Sequence, residues 1–115
     1  MIKNLINVCA RLVQNKQKLP IVYIAGQVTG LDYNQVYAKF KLKQQELERK
    51  GFFVLNPCDL IPPPGEMNWG KEMCIAIVAL VCARYICLLP DWHLSKGAKV
   101  ERELALVLGI STIEG

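Results

Sequence analysis

Apolar positions recur at helical spacing from the start of the chain, where Ile2, Leu5, Ile6, Cys9, Leu12 and Val13 form one stripe that Leu19-Pro20 ends. IVYIAG (Ile21–Gly26) is a short, β-branched apolar run closed by glycine, the pattern of a buried strand leading into a turn. After the turn Gly26–Gly30, either Asp32 or Asn34 is placed to cap a helix carrying Val36, Tyr37, Phe40, Gln44 and Leu47 on one face and ending at Gly51. FFVLNP (Phe52–Pro57) predicts a second strand stopped by Asn-Pro, and Ile61–Gly65, with three consecutive prolines, predicts a loop. Trp69, Met73, Ala76, Ile77, Leu80 and Ala83 mark a third long helix, and Tyr85–Leu89 a third strand. Ser95 then caps a last helix running to Leu108, Gly109 stops it, and Ile110–Ile113 forms a final strand.

Strands that alternate with helices and are apolar throughout predict an α/β fold, a three-layer flavodoxin- or Rossmann-like sandwich. We expect a parallel sheet of four strands, five at most, and one domain over residues 1–115 with 1–19 as an N-terminal helical extension. In such sheets ligands bind beyond the carboxyl ends of the strands, so Gly26–Gly30, Asn56–Asp59 and Pro90–Ser95 should converge.

Composition sharpens this picture. Apolar residues make up 52% of the 115 positions and charged residues 21%, with a mean hydropathy of +0.22, which excludes intrinsic disorder. The net charge of +4 is mild, and the cations are scattered among acids, as along Lys39–Lys50, a solvated helix face rather than a nucleic-acid footprint. Met73–Pro90 is nearly uncharged, but Arg84 divides it into a helix-length run and a strand-length run, so no membrane span is expected. The helix Met73–Ala83 is apolar on every face, more than one sheet contact can cover, which points to a homo-oligomer. Asn4, Asn7 and Arg11 interrupt the N-terminal apolar residues, so no secretory signal is expected there. Five cysteines without a CxxC pair read as buried thiols in a reducing, cytoplasmic setting, with no metal framework.

One residue breaks the core pattern. On the last helix the series Leu94, Gly97, Ala98, Glu101, Leu104, Ala105, Leu108 is apolar except at Glu101. Removing a carboxylate from water costs several kcal/mol unless it is paired, so either a core partner such as Arg84 or Tyr23 satisfies Glu101, or it serves a site. Ser95 and Gly97 open the same helix, where free N–H groups suit an anion, and Glu101 follows about 9 Å along the axis. Gly26 permits close backbone approach, Gln27 and Thr29 offer hydrogen bonds, Tyr23 carries a phenol near the turn, and Trp92 is placed to stack on a base. His93 reads as a solvated loop residue. Gly26-x-x-x-Gly30 matches neither the GxGxxG dinucleotide fingerprint nor the Walker pattern.

From Ile21 onward the chain resembles the nucleoside 2-deoxyribosyltransferase-like superfamily, particularly its short, uncharacterised bacterial and phage branch. The resemblance is carried by YIAGQVTGLDYN (Tyr23–Asn34), VLNP (Val54–Pro57) and YICLLPDWHLSKGAKVERELALVLGI (Tyr85–Ile110), with Ser95-x-Gly97-x-x-x-Glu101 the most specific part. It implies cleavage or transfer at the N-glycosidic bond of a 2-deoxynucleoside or its monophosphate, with Glu101 as nucleophile, Tyr23 beside it, Gly26, Gln27, Val28 and Thr29 around the sugar or phosphate, and Ser95 and Gly97 at the 5′ end. It implies no metal or organic cofactor, and a homo-oligomer whose sites are completed between subunits. Family enzymes carry an acid on the third helix near the leaving base; Ala76 stands at that position here, leaving Asp91 or Asp59 as replacements from the loops. Two other readings stay open: a nucleotide-binding module without catalysis, and a scaffold in which Glu101 is only a paired core acid.

Overall fold

The computed structural model describes residues 1–114. Helix α1 (Ile2–Val13) precedes strand β1 (Ile21–Ala25), α2 (Tyr33–Arg49), β2 (Phe53–Leu55), a four-residue helix α3 (Pro57–Leu60), α4 (Trp69–Val81), β3 (Tyr85–Leu88), a 3₁₀ turn (Trp92–Leu94), α5 (Lys96–Leu108) and β4 (Ser111–Glu114). The four strands form one parallel sheet in the order β2-β1-β3-β4. Thus the α/β sandwich read from the alternation of strands and helices is the fold, with four strands.

Side chains alternate across the sheet as a two-residue period requires. Tyr23 and Ala25 of β1, Leu55, Ile86 and Leu88 join a core with Ile75, Ala76, Ala79 and Leu80 of α4, Ala98 and Ala105 of α5, and Val8 of α1. Val22, Ile24, Val54 and Cys87 face the other way, onto Val36, Phe40 and Leu47 of α2. One helix therefore covers one face, and α1, α4 and α5 lie on the other. Tyr23 pairs in register with Leu55 of β2 and Ile86 of β3, which seats its side chain at the middle of the sheet.

Local signals set the ends of these elements. The Asp32 carboxylate, rather than Asn34, caps α2 by accepting from the Gln35 N–H at 3.2 Å. Ser95 Oγ accepts from the Ala98 N–H at 3.1 Å and starts α5, while Gly109, with φ of 72°, supplies the left-handed residue that ends it. The Asn-Pro pair at the end of β2 does more than stop a strand. Asn56 accepts from the Cys58 N–H at 2.9 Å and Pro57 occupies the first helical turn, so the pair starts α3. That short helix was expected as loop.

Of the N-terminal stripe only Leu5 and Leu12 turn inward, beside Val8, which lies outside the stripe. Val8 is fully buried with Leu5 and Leu12 packed beside it, whereas Ile2, Ile6, Cys9 and Val13 are exposed. Arg11 stacks on the Phe53 ring at 4.1 Å and donates to the Val54 carbonyl at 3.2 Å, covering part of the β2 edge. The outward face of α4 is also apolar, with Cys74, Val78, Val81 and Cys82 exposed. This corrects the expectation of buried thiols: all five cysteines are free, Cys87 is buried, Cys58 is half-buried, and Cys9, Cys74 and Cys82 are exposed. Apolar sequence neighbours mark both faces of α4, but only one face meets the sheet. Among the described residues no helix is long and apolar enough to cross a membrane.

Candidate functional site

The loops after β1, β2 and β3 and the first turns of α4 and α5 surround a cavity of about 550 Å³ at the carboxyl edge of the sheet. Its walls include Tyr23, Gly26, Val28 and Thr29 from the β1 side, Tyr33 and Phe40 from α2, Pro57 and Cys58 from α3, Trp69, Glu72, Met73 and Ala76 from α4, and Ser95, Gly97 and Glu101 from α5. The volume is in the range of small-molecule sites.

Glu101 lies at the floor with only 6% of its surface exposed. The Tyr23 hydroxyl donates to its Oε2, so Tyr23, not Arg84, is the core partner. Arg84 is exposed at the opposite end of β3, 5.8 Å from the Tyr85 ring centre. Only Oε2 has a protein partner, and among the described residues no buried side-chain oxygen lacks one. Oε1 is therefore open to the cavity.

Burial raises the Glu101 carboxyl from 4.5 to about 7, against the opposing hydrogen bond from Tyr23. The Tyr23 phenol is raised well above 10, first by burial and then by the Glu101 charge, so it stays protonated and donates. Glu101 is thus an acid the fold holds in a costly place with one hydrogen bond.

The structure brings seven of the ten sequence-derived site residues to the cavity wall: Tyr23, Gly26, Val28, Thr29, Ser95, Gly97 and Glu101. Gln27, Asp91 and Trp92 are not among its lining residues. Asp91 instead accepts from the Gln27 N–H and pairs with Lys39. Lys39 and the Gln27 N–H lower the Asp91 carboxyl below its ordinary value despite partial burial, the opposite of what a proton donor needs. Trp92 stands beside the Arg102 guanidinium, 5.3 Å from its ring centre, over a separate small depression. Asp59 pairs with Lys41 at 3.6 Å and does not line the cavity.

Two residues missed in the sequence take up these positions. Trp69, at the start of α4, supplies an exposed aromatic wall, with Lys96 Nζ 4.6 Å above its ring centre. Glu72 lines the cavity one turn before Ala76, and burial raises its carboxyl above 4.5. The signal was present, because residues four apart on a helix share a face, so an acid at position 72 points where one at 76 would.

The glycines have packing reasons of their own. A Cβ on Gly26 would meet Leu89 Cδ1 at 2.7 Å, and one on Gly97 would meet Met73 Sδ at 3.3 Å. Among the described residues no cluster of three or more His, Cys, Asp or Glu is arranged to hold a metal.

Residues 20–114 match DUF4406, a domain of unknown function. The chain belongs to the DUF4406 family. No curated protein matches it in sequence. The DUF4406 span contains every residue named on the cavity wall, whereas α1 lies outside it.

The raised carboxyl of Glu101 has a consequence for stability. Folded protein retains a proton that the unfolded chain releases above 4.5, so stability falls as pH rises from about 4.5 to about 7. The full loss is about 3 kcal/mol. Glu101→Gln keeps an acceptor for Tyr23 without the charge, and should stabilise the protein by about 3 kcal/mol at pH 8, falling below about 1 kcal/mol at pH 5. Urea denaturation of both proteins at the two pH values checks this; equal stability at pH 8 would count against a costly buried carboxylate.

Proposed function

We propose that this protein cleaves or transfers the N-glycosidic bond of a 2-deoxynucleoside or its monophosphate. The observation that carries the reading is a buried carboxylate, Glu101, with one oxygen held by Tyr23 and the other open to a cavity. In its ionised form Glu101 attacks C1′ of the sugar; the C1′–N bond breaks through an oxocarbenium-like transition state and leaves a glycosyl ester on Glu101. Water or a second base then attacks C1′ and frees the carboxylate. Glu72, on the same cavity and with its carboxyl raised by partial burial, is the acid that protonates or hydrogen-bonds the departing base. Trp69 offers a stacking surface for that base. Lys96 and the N–H groups opening α5 suit the anionic 5′ end. The resemblance of Ser95-x-Gly97-x-x-x-Glu101 to the deoxyribosyltransferase pattern supports the same roles.

Incubation with a panel of deoxynucleosides and their monophosphates should release free base. Glu101→Ala should lower the rate at least about 10³-fold, and Glu72→Gln about 10²-fold. The acidic limb of the rate profile should lie near pH 7, where Glu101 ionises, and move upward in Tyr23→Phe, which loses the hydrogen bond that favours the anion. No base release from any substrate, or release undiminished in Glu101→Ala, would end the reading. Thermal stabilisation by a nucleotide without turnover would favour a binding module instead. Glu101→Gln changing stability alone, with no nucleotide bound, would favour a scaffold.

The same reading includes a second copy of the chain. From Met73 to Ala83 there is no charged residue, and Cys74, Val78, Val81 and Cys82 lie exposed on the outward side of α4. An uncharged face meets its own copy across a two-fold axis without opposing like charges, which matters for a chain of net charge +4. Light scattering should give a dimer or larger, and Val78→Asp should shift it to monomer; a monomeric mass for the native chain would contradict this.

A further inference from the structure

The backbone loop beside the cavity is gripped at one residue, Gln27. The Gln27 N–H donates to Asp91 Oδ1 at 3.0 Å, Lys39 Nζ donates to the Gln27 carbonyl at 3.0 Å, and Lys39 pairs with Asp91 Oδ2 at 2.5 Å. These contacts close a ring through three segments: the loop after β1, the first half of α2 and the loop after β3. Each segment, or the element it leads into, supplies cavity wall: Gly26, Val28 and Thr29 flank Gln27, Tyr33 and Phe40 bracket Lys39 on α2, and Leu94, Ser95 and Gly97 follow Asp91. Neither Lys39 nor Asp91 lines the cavity.

We infer that Lys39 and Asp91 are positioning residues that clamp the backbone of Gln27 on both sides of its Cα and thereby hold Val28 and Thr29 against the ligand in the cavity. The geometry separates this from an ordinary ion pair between α2 and a loop. Asp91 accepts from the N–H of the Gly26–Gln27 peptide and Lys39 donates to the carbonyl of the Gln27–Val28 peptide, so each charge faces a backbone group of opposite polarity. Both side chains are partly buried, with 29% and 24% of their surface exposed, so water competes less for these bonds than at a fully exposed pair. Charge is also not sufficient. Exchanging the two residues would keep an ion pair while setting an ammonium against the N–H and a carboxylate against the carbonyl. The grip itself follows from the fold alone; its effect on ligand rests on the reading of the cavity as a nucleotide site.

Amide hydrogen exchange of the protein without ligand, resolved at Gln27, Val28 and Thr29, tests the grip separately from that reading. Asp91→Ala should speed exchange at the hydrogen-bonded Gln27 amide about tenfold or more while α5 and β3 keep native protection. Asp91→Asn, which keeps an acceptor for Gln27 but loses the charge, should fall between Asp91→Ala and the native protein. Lys39→Arg should restore protection that Lys39→Met removes, and the exchange Lys39→Asp with Asp91→Lys should not. Native exchange in Asp91→Ala, a uniform rise across the whole protein, or protection regained in the charge exchange would overturn the clamp. Binding of thymidine 5′-monophosphate, measured in parallel, should weaken about tenfold in Asp91→Ala and recover in Lys39→Arg but not Lys39→Met. If the native protein does not bind this nucleotide, the proposed function loses support while the exchange data still decide the clamp. Tight native binding left unchanged by Asp91→Ala would overturn the positioning role.

Discussion

A carboxylate buried under the carboxyl edge of a parallel sheet is the constraint around which the cavity is arranged. Glu101 comes from α5 and its partner Tyr23 from β1, 78 residues apart in sequence. Their meeting requires the sheet order and register that place Tyr23 beside Ile86, whose strand leads through the Ser95 cap into α5. With one oxygen bound and the other facing the cavity, the group is neither fully satisfied as a core acid nor free as a surface one. The fold bears an electrostatic cost there, and such costs concentrate where a protein needs a proton or a nucleophile at neutral pH. The two cavity carboxyls are both raised, whereas Asp91, outside the wall and paired with Lys39, is lowered. Environment thus sets the two acids that face the cavity apart from the one bonded to backbone.

Much of the fold was legible because its signals are local. Continuous apolar runs named the strands, Ser95 named the cap of α5 and Asp32 was one of two caps named for α2, and Gly109 marked the end of α5. Glu101 stood out because an otherwise apolar helical series isolates a single charge, and Tyr23 was one of two partners named for it. Arg84 was the other, and sequence distance gave no way to choose. The register of β1 against β3 decides it by putting Tyr23 over the cavity floor and Arg84 at the opposite end of the strand.

The misreadings share a physical cause. Cys9, Cys74 and Cys82 have apolar neighbours in sequence, yet helical rotation turns them to the outer surface. Glu72 reaches the cavity from the helix face it shares with Ala76, one turn away. Trp92 and Asp91 sit on a strand-end loop, where proximity in sequence to the site says little about direction: the 3₁₀ turn sends Trp92 towards Arg102, and Asp91 turns to the Gln27 N–H. Gly26 looked like room for a ligand, and in the structure its missing side chain also makes room for Leu89. Helix phase and cap residues can be read along a chain, but the aim of a loop side chain depends on contacts from distant segments.

The most direct measurement is the ionisation of Glu101 itself, followed by the carbon chemical shift of its carboxyl group through a pH titration. The account predicts a midpoint near 7, moving higher in Tyr23→Phe as the hydrogen bond to the anion is lost. A midpoint near 4.5, the ordinary value for a solvated glutamate, would contradict it.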